Sequence, residues 1–158
     1  MFKLGEIVYH DHLYFNDGIK DNKQNRPCIV IYSNDATKTV ITIPLTSSIK
    51  SFNRKNNNYV FIPYIIYNYH KLNFVKIDSI LKNSYNNTHS TQMILDNQTL
   101  LKILNKSLAN YKNQKYNQII QYSIDLINEI TKQEEKKNKK TKKLERTNRR
   151  RNAKRNGN

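Results

Sequence analysis

The feature that most constrains the fold is a change in the spacing of apolar residues near residue 95. Before this point, short runs rich in β-branched residues are separated by polar connections, and this pattern is typical of β-strands. After it, apolar residues recur every three or four positions, which is the period of an amphipathic helix. The chain is therefore predicted to be α+β, with a mainly β core followed by two helices.

The predicted strands are short, and they precede the helices. Pro63 places the fourth of them at an edge or a bulge, because proline cannot donate to a strand ladder. Five or six short strands at this spacing predict a small barrel or a rolled sheet. Their predicted ranges are Gly5–His10, Pro27–Tyr32, Thr39–Leu45, Tyr59–Ile66 and Phe74–Leu81, with a short sixth near Gln92–Leu95.

Two helices and a basic tail are predicted to follow the strands. Asp96 or Asn97 is a suitable N-cap for a helix that runs to about Asn110. A second apolar stripe, from Tyr116 to Ile130, predicts another helix, after which lysine, arginine and asparagine dominate. The predicted organisation is a barrel with its helix over residues 1–111, an additional amphipathic helix over 112–131, and a tail over 132–158. The tail is predicted either to extend the helix or to be disordered.

Positive charge is concentrated at the C-terminus. The chain carries 28 lysines and arginines against 12 acidic residues, a formal charge of +16. The 27 residues from Lys132 onward hold 13 basic and 3 acidic residues, so this tail accounts for +10. Such a field attracts polyanions, of which nucleic acid is the commonest in a cytosol, and an anionic membrane surface is the rival partner.

Several classes of protein are disfavoured by what the sequence lacks. The single cysteine, Cys28, excludes an intramolecular disulfide. The longest apolar run, Val60–Tyr67, is too short to span a membrane. No secretory signal is expected, so the protein is predicted to be soluble and cytoplasmic. The four histidines have no cysteine partners and no HExxH spacing, and no phosphate-binding glycine loop is present. We therefore expect neither a metal nor a cofactor.

An arginine and a hydroxyl pair remain as candidates for chemistry, each at the junction of a strand and a loop. Arg26 immediately precedes the second predicted strand, and Thr46 and Ser47 immediately follow the third. If these strands are antiparallel neighbours, Arg26 and Thr46 meet at one edge of the sheet. Taken singly, each also fits a structural role: a solvated arginine at a strand start, or a hydroxyl that caps its own backbone.

Three short motifs resemble the MazF/PemK family of toxin endoribonucleases: Gly5-Glu-Ile-Val8, Arg26-Pro-Cys-Ile-Val-Ile31 and Pro44-Leu-Thr-Ser47. The resemblance covers about two-thirds of the chain. It implies an SH3-like β-barrel that forms a homodimer, cleaves single-stranded RNA such as mRNA without metal, and is neutralised by an antitoxin protein. It further implies that DNA is bound together with the antitoxin. By the same resemblance, the catalytic pair is Arg26 and Thr46.

The residue types suit this chemistry. Attack of the RNA 2′-OH builds negative charge on the phosphate, which a guanidinium fork and a hydroxyl donor can stabilise. An arginine is a poor general base, because its pKa lies above about 12; the base is therefore left open. Further RNA contacts are predicted from the loop after the third strand and from the tail: Ser47, Lys50, Arg54, Lys55, Arg149, Arg150 and Arg151.

The sequence also departs from the family, and this keeps other functions open. The stretch Ile77–Leu81 lacks the arginine that the family often carries on a late strand, and the chain from Lys112 onward extends beyond a typical member. One alternative is a non-catalytic RNA- or ribosome-binding module that uses the tail as its main contact. Another is a regulatory protein that binds DNA through the tail.

Overall fold

The computed structural model describes residues 1–11, 27–46, 59–62, 73–111 and 113–155; for Asn73 and for residues 147–155 it describes the backbone alone. The chain divides into two compact units, Met1–Ile124 and Asp125–Asn158. The first holds all the described strands and the first helix.

Seven strands and two α-helices make up the described regular structure, which confirms an α+β fold. In chain order the strands are β1 (Glu6–His10), β2 (Pro27–Asn34), β3 (Thr39–Thr46), β4 (Tyr59–Ile62), β5 (Asn73–Lys76), β6 (Leu81–Ser84) and β7 (Thr88–Ile94). The helices are α1 (Asn97–Asn110) and α2 (Gln114–Arg155). None of the helices in the described part of the chain is long and apolar enough to cross a membrane.

The strands form one antiparallel sheet in the order β4-β5-β3-β2-β1-β7. The strand β6 lies off this path and pairs with β3. Along one edge β3 therefore has two partners: β6 beside its first half, from Thr39 to Thr42, and β5 beside its last two residues, Leu45 and Thr46. Since β2 occupies the other edge of β3, this strand is the centre of the sheet.

The prediction of one strand over Phe74–Leu81 is wrong, because the segment contains two strands. The strand β5 ends at Lys76, a turn follows at Ile77 and Asp78, and β6 begins at Leu81. The turn is closed by a backbone bond from the amide of Ser79 to the carbonyl of Lys76, 3.2 Å long. Ile77 and Ile80 are both buried, so the apolar residues that suggested a continuous strand serve the core from a turn.

The other predicted strands are found, with shifted ends. The second and third strands run further than predicted, to Asn34 and Thr46, and the last strand begins at Thr88, four residues before its predicted start. The prediction for the fourth strand extends to Ile66, but residues 63–66 lie outside the described part of the chain.

One part of the core lies between β1, β2, β3 and β6. It is formed by Val8, Cys28, Val30, Val40 and Leu81, each at most 3% exposed, with Phe2 and Tyr85 packed against it. Because side chains alternate across a strand, neighbours such as Ile7, Ile29 and Ile43 lie on the opposite face of the sheet. These isoleucines are also fully buried, which is why the strands read as near-continuous apolar runs.

The helix α1 begins as the sequence predicts and is fixed to the start of β1. The Asp96 side chain caps it by accepting a bond from the Thr99 amide at 2.8 Å. Gly5 has a φ of +78°, and a Cβ there would lie 3.0 Å from Leu100 Cδ2. Glycine is therefore required at this position both by its backbone conformation and by the closeness of α1.

The helix α2 passes without interruption through the two segments predicted as a separate helix, 112–131, and a tail, 132–158. It runs from Gln114 to Arg155, so the chain beyond Thr131 extends the helix. Near its start, Ile120 and Ile124 are buried. From Lys132 to Arg146 every side chain is exposed. The helix thus has a packed first part and a solvated, cationic second part.

Candidate functional site

The end of β3 and the start of β2 lie side by side, as the proposed site requires. These strands are antiparallel, with Cys28 opposite Pro44 and Ile29 opposite Ile43. Pro27, the first residue of β2, is paired on its other side with Tyr9 of β1. Thr46, the last residue of β3, is half-buried.

Thr46 is the one predicted site residue whose side chain the structure describes. It is paired with Phe74 of β5, so the site edge of β3 is flanked by an aromatic residue on the side away from β2. Arg26, Ser47, Lys50, Arg54 and Lys55 lie outside the described residues. The structure therefore brings together the strand ends that carry the motifs.

The tail residues proposed to bind RNA belong to α2. Arg149, Arg150 and Arg151 lie near its C-terminal end, and only their backbone is described. They belong to the second compact unit, whereas Thr46 belongs to the first.

A buried histidine, whose burial was not predicted from the sequence, connects three strands by hydrogen bonds. His10, at the end of β1, is fully buried. Its Nδ1 lies 3.0 Å from Thr88 Oγ1 on β7, and its Nε2 lies 3.0 Å from Thr42 Oγ1 on β3. The four histidines were considered above only as metal ligands. Its burial could have been predicted from its position two residues after Val8, because residues i and i+2 of a strand lie on the same face of the sheet.

The hydrogen bonds around His10 define its tautomer. The hydroxyl of Thr88 donates to the carbonyl of Ser84 at 2.8 Å, so its oxygen is left to accept a bond from His10 Nδ1–H. The Nε2 atom is then the acceptor, and the hydroxyl of Thr42 donates to it. Burial lowers the pKa of His10 from 6.5 to about 4, against smaller raising effects of the Asn87 backbone and Asp11. His10 is therefore neutral at physiological pH.

A second polar cluster, around Glu6, also has a structural role. This buried carboxylate accepts a bond from the backbone amide of Lys3 at 2.7 Å and another from the hydroxyl of Ser90 on β7. Both carboxylate oxygens are thus engaged, one within the N-terminal segment and one across to the neighbouring strand. Glu6, the acidic residue of the Gly5-Glu-Ile-Val8 motif, joins β1 to β7 through these bonds.

The described residues offer no cluster for a metal ion. No group of three or more histidine, cysteine, aspartate or glutamate side chains is gathered within residues 1–11, 27–46, 59–62, 73–111 and 113–155. His89 instead contacts a single carboxylate, with its Nε2 2.6 Å from Asp11 Oδ1 at the surface. The candidate site consists of an edge with a hydroxyl, an aromatic neighbour and a buried, neutral histidine.

Comparison with known proteins finds similarity at the level of structure. The chain matches no family model and no curated protein sequence. Among solved structures it is similar to an endoribonuclease in complex with its cognate antitoxin from a mycobacterial species. The identity is 18% and the TM-score 0.45, over 68% of this chain and 92% of that one.

Proposed function

We propose that this protein is a metal-independent endoribonuclease of the MazF/PemK type, with an SH3-like barrel, that cleaves single-stranded RNA where β2 begins and β3 ends. The observation that carries the proposal is the register of these two strands. It pairs Cys28, two residues after Arg26 in the sequence, with Pro44, two residues before Thr46.

The register predicts where the two catalytic residues meet. Successive pairs are Val30 with Thr42, Ile29 with Ile43, and Cys28 with Pro44. Continued by two residues, this pairing would set Arg26, the neighbour of Pro27 in the sequence, opposite Thr46. Directly opposed residues point to the same face with their Cβ atoms about 4.5–5.5 Å apart, close enough to bind one phosphate together.

The same extrapolation would add His10 to this row. The pairs Val8 with Cys28 and Tyr9 with Pro27, continued by one residue, would set His10 opposite Arg26. Because burial keeps His10 neutral, it adds no positive charge that would repel the guanidinium. We assign it a positioning role, since both its ring nitrogens are already hydrogen-bonded to threonines.

The proposed reaction is an internal displacement. The RNA 2′-oxygen loses its proton and attacks the adjacent phosphorus, the bond to the 5′-oxygen breaks, and that oxygen leaves with a proton. The products are a 2′,3′-cyclic phosphate and a free 5′-hydroxyl. Arg26 holds the phosphate oxygens through its two-pronged guanidinium, and Thr46 donates a further hydrogen bond as their negative charge increases. Ser47, Lys50, Arg54 and Lys55 are proposed to bind the RNA on either side of the cleaved bond.

The proposal includes two protein partners, a second copy of the chain and an antitoxin protein. Both follow from the resemblance of the motifs to MazF/PemK toxins. The basic surface of the chain, with its formal charge of +16, favours an acidic inhibitor over a basic one.

The test is cleavage of a long, U- and A-rich single-stranded RNA, with the products separated on a gel and their ends identified. We expect Arg26→Ala and Thr46→Ala each to lower the cleavage rate by about 10²–10³, the usual effect of removing one transition-state donor. Arg26→Lys should also lose most activity, because lysine cannot reproduce the planar fork. EDTA should change nothing.

Thr39→Ala is the matched control, since Thr39 is the first residue of the strand that Thr46 ends. It should cleave as the wild type does. Full activity of Arg26→Ala, or loss of activity in EDTA, would rule out this mechanism. If the intact protein cleaves none of a varied set of RNAs, the chain is instead a nucleic-acid-binding module, a function favoured by the exposed cationic part of α2.

A further inference from the structure

The second part of α2 has an ordered charge pattern that the nuclease proposal does not use. Residues 136–155 hold twelve lysines and arginines and one acidic residue, Glu145. As a helix this segment is about 30 Å long. Six of its i,i+4 pairs join two cations, and each such pair destabilises an isolated helix. An anionic partner would relieve this repulsion.

The cations do not surround the helix evenly. At 100° per residue, one stripe about 80° wide carries no positive charge over its whole length. Its spacing alternates between three and four residues, so the stripe runs along the helix. Its members are Asn138, Thr141, Glu145, Asn148 and Asn152.

Cations border this stripe on both sides. Lys137, Lys140, Arg151 and Arg155 fall along one border, and Lys139, Lys142, Arg146 and Arg149 along the other. The described part of the pattern, up to Arg146, is exposed throughout. The hydroxyl of Thr141 donates to the Lys137 carbonyl at 3.1 Å, which leaves its oxygen able to accept a further bond.

From this arrangement we infer that the second part of α2 is a DNA-binding helix that lies in the major groove of duplex DNA. The two rows of cations match the two phosphate backbones that border the groove. The stripe between them consists of residue types that bond base edges: asparagine pairs with adenine, glutamate accepts from cytosine, and threonine bonds several bases. This function is additional to the proposed nuclease and does not depend on it.

Duplex DNA fits this helix better than the other polyanions. The major groove of B-DNA, about 12 Å wide, admits an α-helix, whereas that of A-form RNA is too narrow for side chains to read. Single-stranded nucleic acid is bound largely by stacking on aromatic rings, and residues 132–155 contain none. A membrane surface requires an apolar face, but Leu144 and Ala153 are the only apolar residues in this range.

The inference is tested by fluorescence anisotropy on the full chain with a random-sequence duplex DNA, the same sequence as duplex RNA, and single-stranded RNA. Thr46→Ala is introduced into every protein so that RNA probes stay intact. We expect duplex DNA to bind at least about tenfold tighter than duplex RNA; single-stranded RNA, which the proposed nuclease site also binds, serves only as a reference. The row variant replaces three of the four cations along one border (Lys139→Gln, Lys142→Gln and Arg146→Gln). It should lower the slope of log K against log salt by about 0.9 for each phosphate that the helix no longer binds.

The matched control removes three exposed cations from the first unit (Lys3→Gln, Lys82→Gln and Lys102→Gln), which changes the net charge by the same amount. It should leave DNA affinity within about threefold of the parent. The stripe is tested by Asn138→Ala with Asn148→Ala, substitutions that favour the helix. This variant should still bind random DNA but lose the enrichment of particular sequences that the parent selects from a random duplex library.

Three results would overturn the inference. Equal or tighter binding of the duplex RNA would make the helix an RNA-binding arm. Equal decreases in affinity for the row variant and the control would show general attraction rather than a site. Failure of the parent to enrich any sequence would mean that the stripe reads no bases. Cleavage is not measured in any of these experiments, so their outcome is separate from that of the nuclease assay.

Discussion

At the scale of single residues, His10 shows how a polar side chain can organise an apolar sheet. It lies among buried residues of β1, yet both its ring nitrogens have hydroxyl partners, Thr88 on β7 and Thr42 on β3. A buried polar group that is fully hydrogen-bonded costs little and fixes the geometry of its neighbours. The arrangement suits only the neutral ring, because a protonated Nε2 would face a hydroxyl that is already donating to it.

We therefore predict a loss of stability in mild acid that depends on His10. Its pKa is lowered to about 4 in the folded protein, whereas the unfolded chain titrates near 6.5, so the unfolded state binds more protons between these values. The contribution is complete above about pH 6.5. It is lost as the pH falls, and the free energy of unfolding should drop by about 3 kcal/mol by pH 4. Urea unfolding at a series of pH values measures this.

The control for this prediction is the variant that lacks the titrating group. His10→Gln should be less stable at neutral pH but should show a flatter pH dependence, because the titrating group is gone. Parallel pH curves for the wild type and His10→Gln would contradict the assignment.

At the scale of elements, a serine joins α2 to the sheet at an irregularity in β2. The β2–β3 register shifts between Val30 and Tyr32, which leaves Ile31 without a partner in β3. The buried hydroxyl of Ser123 lies 2.5 Å from the Ile31 carbonyl and 2.9 Å from its own helix at Ile119. The helix thus supplies the donor that the bulged strand lacks.

Two buried serines on neighbouring helices should respond oppositely to removal of the hydroxyl. Ser123→Ala should lower the free energy of unfolding by about 1–3 kcal/mol, because the Ile31 carbonyl loses a buried partner. Ser107→Ala on α1 should be neutral or stabilising, since its buried hydroxyl has no hydrogen-bond partner among the described residues. Denaturant unfolding of both variants provides the comparison. Equal decreases in stability would mean that Ser123 acts only through packing.

At the scale of the whole molecule, charge and core are separated along the chain. The first 131 residues contain the sheet, α1 and the packed start of α2, yet they carry only +6 of the +16. From Lys132 to Arg146 no side chain is buried. A segment without buried side chains is expected to add little to the stability of the rest of the chain.

Deletion of residues 132–158 should therefore separate two properties. We expect the free energy of unfolding to change by less than about 1 kcal/mol, because no buried side chain from Lys132 to Arg146 is removed. RNA cleavage should survive, since Arg26 and Thr46 precede the deletion. Affinity for duplex DNA should fall, and its salt dependence should flatten. Measurements are denaturant unfolding, the cleavage assay and anisotropy titrations. Loss of cleavage with the fold intact would show that α2 takes part in the nuclease.

Features that depend on local spacing could be predicted from the amino-acid sequence. The strands β2 and β3, an N-cap for α1 at Asp96 or Asn97 and the helical period after residue 95 were all predicted. Each follows from interactions between residues close in the chain: alternation across a strand, a cap bond to the third residue on, and three-to-four spacing along a helix. The stripe of α2 that carries no positive charge also follows from local spacing, once the segment is known to be helical.

Features that depend on residues distant in the chain became clear only from the pairing and packing of the strands. The break between β5 and β6 arises because both strands pair with β3, more than 25 residues earlier. His10 is buried because Thr42 and Thr88 bring hydroxyls to it from two other strands. Local sequence could not show either, since a short apolar run suits a strand or a turn, and a histidine suits the surface or the core. Contacts made across the sheet resolve both ambiguities.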